Sequence, residues 1–139
     1  MSVFVDTSAM IAVLDADEAE SGRIRDAWSK GFDDGEGFVT SNYNVVEACS
    51  VAQRRLGMNA VRDLVGEILP LMFVEWVTET DHEAGITALL TAGRRQLSLV
   101  DCVSFALMRR LGLHQCLTLD PHFTEQGFAQ YAPRSTTDN

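Results

Sequence analysis

The chain has 139 residues, 46% hydrophobic and 22% charged, with 20 acidic against 11 basic residues and a net charge of −9. That length supports one domain with a proper core, and no apolar run approaches the ~20 residues a membrane helix needs. The acidic balance argues against binding nucleic acid through net charge and fits a protein that holds cations or meets a basic partner.

Val3-Phe4-Val5 is the kind of apolar run that forms a strand buried on both faces, and it stops on Asp6. With Asp6 inside that stretch and no basic residue ahead of it, a signal peptide is not expected. Thr7 and Ser8 follow, and then Met10, Ile11, Val13 and Leu14 recur at helical spacing. A carboxylate therefore stands at the carboxyl end of a buried strand, the edge where open α/β sheets bind ligands. Residues 17–32 carry Ile24, Ala27 and Trp28 among charges and predict an amphipathic helix ending in a glycine-rich turn at 31–37. Phe38-Val39-Thr40 reads as a short strand. Helices are predicted over 44–56, with Val45, Ala48, Cys49, Ala52 and Leu56 as the apolar stripe, and over 58–69, stopped by Pro70.

Residues 71–77 read as a strand, and 80–96 as a helix with Ile86, Leu89 and Leu90 in the core. Residues 98–111 form a helix apolar on almost every side, hence central. Residues 116–120 give a strand that again ends on an aspartate, 127–131 an edge strand, and 132–139 a polar, frayed tail. Alternating helices and short strands with no hairpin signal predict a mostly parallel α/β sheet in one domain over 1–131. Cys49, Cys102 and Cys116 lack Cys-x-x-Cys spacing and read as reduced core residues of a cytoplasmic protein.

The residues that carry chemistry are Asp6, Glu47, Asp101 and Asp120, and each has an ordinary reading. Asp6 caps the helix after it; Asn44–Glu47 and Ser98–Asp101 have capping-box spacing; Asp120-Pro121 is a cap followed by proline at the first helical position. Taken together, they suggest more. Asp6 and Asp120 end strands of the mid-sheet kind, so they should share one edge. Asp101 is the only charge between Gln96 and Arg109, and an unpaired buried carboxylate costs several kcal/mol, so it needs a partner. If its helix starts at that same edge, the acids gather and a hard divalent cation relieves their repulsion. The absence of His and Cys from the set favours Mg²⁺ or Mn²⁺ over Zn²⁺.

Val3–Ser8, Glu47 on an early helix, Ser98–Cys102 and Leu117–Phe123 resemble, in order, the signature positions of the PIN domain family, across essentially the whole chain. The short length resembles the VapC toxins within that family. The resemblance implies a three-layer α/β/α fold and a Mg²⁺- or Mn²⁺-dependent ribonuclease, an endonuclease leaving 5′-phosphate and 3′-hydroxyl ends. Asp6, Asp101 and Asp120 match its metal-binding aspartates, and Glu47 the acid that acts through water on the ion. Thr7, Ser8 and Thr118 match hydroxyl residues that orient the carboxylates, while Pro121 stands where many relatives carry a polar or basic residue. It also implies an antitoxin partner, favoured by the acidic charge, and a homodimer. A free-standing PIN nuclease and a non-catalytic PIN-like binding module remain as alternatives.

A phosphatase or phospho-receiver reading lacks the late lysine, since Lys30 is the only one, and a P-loop lacks its Gly-x-x-x-x-Gly-Lys. Arg54-Arg55, Arg94-Arg95 and Arg109-Arg110 are expected to pair with helix dipoles at the edge opposite the acids. That leaves Arg23, Arg25 and Lys30 as candidate RNA contacts. His122 is expected to play a structural or solvated role.

Overall fold

Period two along the first strand sets the layering. In β1 (Ser2–Val5), Val3 and Val5 point into one core and Phe4 into another. The computed structural model describes residues 2–133, so most of the tail expected from residue 132 onward lies outside the described residues. Five strands, β1, β2 (Gly37–Ser41), β3 (Phe73–Glu75), β4 (Gln115–Leu117) and β5 (Ala129–Gln130), form an all-parallel sheet ordered β3-β2-β1-β4-β5. Val3 stands beside Phe38, and Phe4 beside Cys116.

On the Val3 side lie α1 (Thr7–Leu14), α2 (Ser21–Asp33) and α3 (Asn42–Arg55), which bury Met10, Ile24, Trp28, Ala48 and Ala52. On the Phe4 side, α6 (Leu99–Leu111) and α7 (His122–Glu125) bury Phe105, Leu107, Met108 and Phe123. Helix α5 (Glu79–Ala92) packs on α6. This is the three-layer arrangement expected from the resemblance. No helix among the described residues is long and apolar enough to cross a membrane.

Several elements differ from the sequence reading, each for a local reason. Helix α2 starts at Ser21, not at residue 17, because Asp15 and Glu18 carbonyls close turns first and the Ser21 hydroxyl donates to the Ala12 carbonyl. Helix α3 starts at Asn42 because Ser41 is its cap, which leaves no capping box between Asn44 and Glu47. The single helix expected over 58–69 is α4 (Met58–Asp63), then a wide turn over Leu64–Ile68 and a tight one over Leu69–Leu71 that contains Pro70. Proline lacks an N–H and its ring crowds the carbonyl four residues back, so the regular ladder gives way before it.

Strand β3 is shorter than the predicted 71–77. Helix α5 ends at Ala92, with Gly93 in the left-handed region at φ 59°, and Leu90 is 76% exposed where a core position was expected. The face that meets α6 holds Gly85, where a methyl group would collide with Val103, so a close backbone approach replaces apolar bulk. Strand β4 stops at Leu117, three residues before Asp120.

Candidate active site

Capping interactions place Asp6 and Asp101, whereas Asp120 is not the cap read from the sequence, since Pro121 is the cap of α7. Asp6 leaves β1 in extended backbone, caps α1 from its side chain, and is 3% exposed. Asp101 sits in the first turn of α6, its carboxylate Oδ2 accepting the Ser98 N–H at 3.1 Å while the Ser98 hydroxyl oxygen accepts the Asp101 N–H at 3.1 Å. The cap and the buried site are thus the same residue. Asp120 follows β4, its N–H donating to Thr118 Oγ1 and its Oδ1 accepting the His122 N–H, both at 2.9 Å. Glu47 is half-buried one turn into α3. All four acids line one cavity of about 300 Å³, together with Thr7 and Ser8. The acidic gathering expected from the sequence is therefore present, and Glu18 adds a fifth acid to its lining.

Asp6 is held from several sides. Its Oδ2 accepts from Ser8 Oγ at 2.7 Å and from Thr118 Oγ1 at 2.9 Å, and its Oδ1 from Asn44 Nδ2 at 3.4 Å. Thr118 stands outside the cavity lining and acts through that bond. Thr7 Oγ1 accepts from Asn44 Nδ2 at 3.1 Å. The hydroxyl residues named from the sequence thus all touch this network.

Two further residues were not assigned to the site from the sequence, Asn44 having been read only as a helix cap. Asn44 is fully buried and joins four elements, donating to Asp6 and Thr7 while its Oδ1 accepts from Ser41 Oγ at 2.6 Å and Ser104 Oγ at 3.3 Å. Its only signal was its place three residues after a serine. Gln130 pairs with the Thr118 backbone in both directions: Nε2 donates to the carbonyl at 2.6 Å and Oε1 accepts the N–H at 3.1 Å. A side chain thus supplies the rung that the β4–β5 ladder lacks beyond Leu117.

The electrostatics are those of crowded anions. Burial pushes the Asp101 carboxyl up from 3.8 to about 6, with the Asp6 and Asp120 charges adding to the rise against the Ser98 bonds. Asp6 is also raised, first by burial and then by Asp120, against the lowering effect of its hydroxyl partners. Glu47 is raised by burial and by Asp101 and Asp120, opposed by a hydrogen bond to Thr7. Elsewhere, burial and the Asp6 charge push the Cys116 thiol up to about 12, as suits an inert core cysteine.

Arg54, Arg55, Arg109 and Arg110 lie in the last turns of their helices as expected, but Arg55 is not at the edge opposite the acids. Glu47, Val51 and Arg55, four residues apart on α3, all line the cavity, so Arg55 sits on the acids' wall and not at the opposite edge. Arg94 donates to Glu125 at 2.8 Å and feels the Asp120 charge. Arg110 is engaged by Asp81 and Glu75, and Arg109 by Gln126 and the Phe128 ring. Of the three residues expected to face RNA, Arg23 lines a neighbouring groove with Glu18, Thr118, Asp120 and Pro121. Arg25 donates to the Val13 carbonyl, and Lys30 lies in the last turn of α2. His122, expected to be structural or solvated, is partly buried, with its side chain 11% exposed.

Compared with known families, residues 3–129 match the PIN domain. The chain belongs to the PIN domain family. Its PIN relatives include the 23S rRNA-specific endonuclease VapC20 of Mycobacterium tuberculosis, from strains CDC 1551 and H37Rv. VapC20 is 30% identical over 132 residues, which cover 94% of this chain and 98% of VapC20. The crystal structure of that VapC20, a sarcin–ricin loop cleaving toxin, matches with a TM-score of 0.84 at 29% identity, over 94% of this chain and 99% of its own. FitAcB from Neisseria gonorrhoeae matches with a TM-score of 0.66 at 20% identity, over 96% and 98% of the two chains. FitAB bound to an IR36 DNA fragment gives 0.68 at 17%, over 96% and 95%. At those identities the two Fit structures speak for the PIN fold alone.

Proposed function

We propose that this PIN domain, spanning residues 1–131, is a divalent-metal-dependent endoribonuclease of the VapC toxin kind whose substrate is a structured ribosomal RNA. The observation that carries the reading is the convergence of Asp6, Glu47, Asp101 and Asp120, from four separate elements, on one cavity. In our reading Asp6, Asp101 and Asp120 hold the ion, Mg²⁺ or Mn²⁺. The donor set fits: the cavity's acids offer hard oxygens, and burial, with the Asp6 and Asp120 charges adding to it, lifts Asp101 to about 6. Bound there, the ion supplies Lewis-acid activation of water and neutralises charge at phosphorus.

The chain's own residues do the rest. Glu47, whose raised proton affinity suits a base, takes the proton from the attacking water. Ser8, Thr118 and Asn44 hold the Asp6 carboxylate in one orientation, and Thr7 steadies Glu47. Arg55 on the cavity wall and Arg94 near Asp120 receive the flanking phosphates, which reconciles RNA binding with a net charge of −9. Gln130 is a positioning residue acting through Thr118. Gln130→Ala should lower kcat about tenfold with little change in KM, and steady-state kinetics on one RNA hairpin measures the split.

The acidic surface suits a basic antitoxin, and the edge strand β3 exposes Phe73 (63%) and, just beyond, Trp76 (71%), a surface that suits a homodimer. VapC20 acts on 23S rRNA, and we place this chain's action in the cytoplasm on the same ground.

The decisive experiment incubates the purified chain with an RNA carrying the sarcin–ricin hairpin, with Mg²⁺, Mn²⁺ or chelator. Cleavage is expected with metal and not with chelator, and Asp6→Asn should reduce it by about a thousandfold or more. Undiminished cleavage by Asp6→Asn overturns the assignment.

A further inference from the structure

One side chain beside Asp120 is explained neither by packing nor by hydrogen bonding. His122 opens α7, a helix pinned by its neighbour Phe123, which is fully buried and packs on Phe4 at 6.2 Å and edge-on to Phe105 at 4.9 Å. The imidazole is therefore placed by the core and cannot swing freely into water. Its Nδ1 is shut off from solvent and has no hydrogen-bond partner among the described residues. It nonetheless lies 2.7 Å from Asp120 Oδ1, an oxygen that already accepts the His122 backbone N–H. The two atoms are close but not aligned as donor and acceptor.

Buried polar atoms in folded proteins are almost always satisfied, and an exception calls for a ligand or an ion. His122 belongs to a larger group. One of its ring nitrogens and one carboxylate oxygen each from Asp101 and Asp120 form a set whose atoms all lie within 4.8 Å of one another, and Nδ1 is the nitrogen beside Asp120. Ligands about 2.1 Å from a shared octahedral ion stand roughly 3 Å apart when adjacent and about 4.2 Å when opposite. The set is compact enough for one ion to reach all three atoms after shifts of a few tenths of an ångström. Asp6 is not in this set; its oxygens are engaged by Ser8, Thr118 and Asn44.

We propose that His122 Nδ1 is a nitrogen ligand for the divalent ion assigned above to Asp6, Asp101 and Asp120, and that it biases this PIN site toward Mn²⁺ and against Mg²⁺. The inference rests on the metal-dependent reading above and adds a donor that the sequence reading excluded when it left histidine out of the set. The chemical consequence follows from ligand hardness. Mg²⁺ prefers oxygen and gives up water reluctantly, whereas imidazole suits the first-row transition ions. A mixed shell of carboxylates and one imidazole thus discriminates where an all-carboxylate shell does not.

The test uses the full chain with Mn²⁺ alone, read by pulsed electron paramagnetic resonance. Nitrogen-14 modulation from a coordinated imidazole is expected in the unsubstituted protein and should vanish in His122→Gln, while His82 and His114 remain as internal controls. Titration should show Mn²⁺ affinity falling about tenfold or more in His122→Gln, with Mg²⁺ affinity, from competition, changing less than about threefold. Mn²⁺ bound without nitrogen modulation, or a parallel loss of both affinities, overturns the role of His122 and leaves the acidic metal site standing. No Mn²⁺ binding at all overturns both.

Discussion

Asp101→Asn should make the metal-free protein more stable at pH 8 and, at the same time, remove its stabilisation by Mn²⁺. The Asp101 carboxyl is raised from 3.8 to about 6, first by burial and then by its acidic neighbours. The folded chain therefore holds this proton more tightly than the unfolded chain does. Stability falls as pH rises through the window from about 4 to about 6 and stays reduced above it. At 1.36 kcal/mol per unit, the ceiling on that loss is about 3 kcal/mol. Solvent in the open cavity brings the expected gain from asparagine to roughly 1–2 kcal/mol, a few degrees in Tm. Asparagine keeps an acceptor for the Ser98 N–H, so the helix cap survives the exchange.

Added Mn²⁺ reverses the order. At a hundredfold excess over Kd, an ion that binds only the folded state contributes about 2.7 kcal/mol, and the variant forfeits most of it. The two melting curves should cross: variant above wild type in chelator, below it in Mn²⁺. At pH 5 the chelator difference should shrink. Differential scanning calorimetry at both pH values, with and without Mn²⁺, reads all four arms. A variant less stable than wild type in chelator at pH 8 would reduce Asp101 to its capping role.

How much of this was legible in the chain depends on which contacts leave a pattern. Val3-Phe4-Val5 was readable because a strand between two helical layers must be apolar on both faces, and Val3, Phe4 and Val5 are at most 1% exposed. Asp101 was readable because it is the only charge between Gln96 and Arg109 on a helix apolar on almost every side, and it is 8% exposed. Its capping box and its place in the cavity are both real, so the ordinary reading and the functional one did not compete.

Contacts that depend on direction or register left no such trace. Leu90 was placed in the core and Gly85 was not named, because hydrophobicity is visible in a sequence and close backbone approach is not. Arg55 was sent to the far edge on the assumption that α3 runs back across the sheet, whereas it follows the cavity wall. Gln130 bonds the Thr118 backbone with its side chain, a contact without periodicity. The cap of α3 at Ser41 moved Asn44 from the helix boundary to an interior position and so changed its role from cap to hub.

That hub gives the second large effect. Asn44→Asp should destabilise the protein by about 3–5 kcal/mol at pH 8 and much less at pH 5, whereas Asn44→Ala should cost about 2–3 kcal/mol with a pH dependence close to that of wild type. The asymmetry comes from one atom. Asn44 Nδ2 donates to Thr7 Oγ1 at 3.1 Å and to Asp6 Oδ1 at 3.4 Å from a fully buried position. An ionised carboxylate there donates nothing and sets a second negative charge beside Asp6. At an effective dielectric of 20, like charges about 4 Å apart repel by about 4 kcal/mol, before any penalty for burial.

Alanine removes the bonds but adds no charge, and Asp6 keeps Ser8 and Thr118 on its other oxygen. Protonation rescues the aspartate variant alone. The new carboxyl, raised by burial and by Asp6, takes up a proton as pH falls and regains a donor. The folded state is then favoured toward acid, the opposite of what a salt-bridged aspartate shows. Urea denaturation of the three proteins at pH 5 and pH 8 separates the cases. An Asn44→Asp variant as stable as wild type at pH 8 would mean that the carboxylate of Asp6 does not sit charged against this side chain. The convergence of acids on one cavity would then lose its anchor.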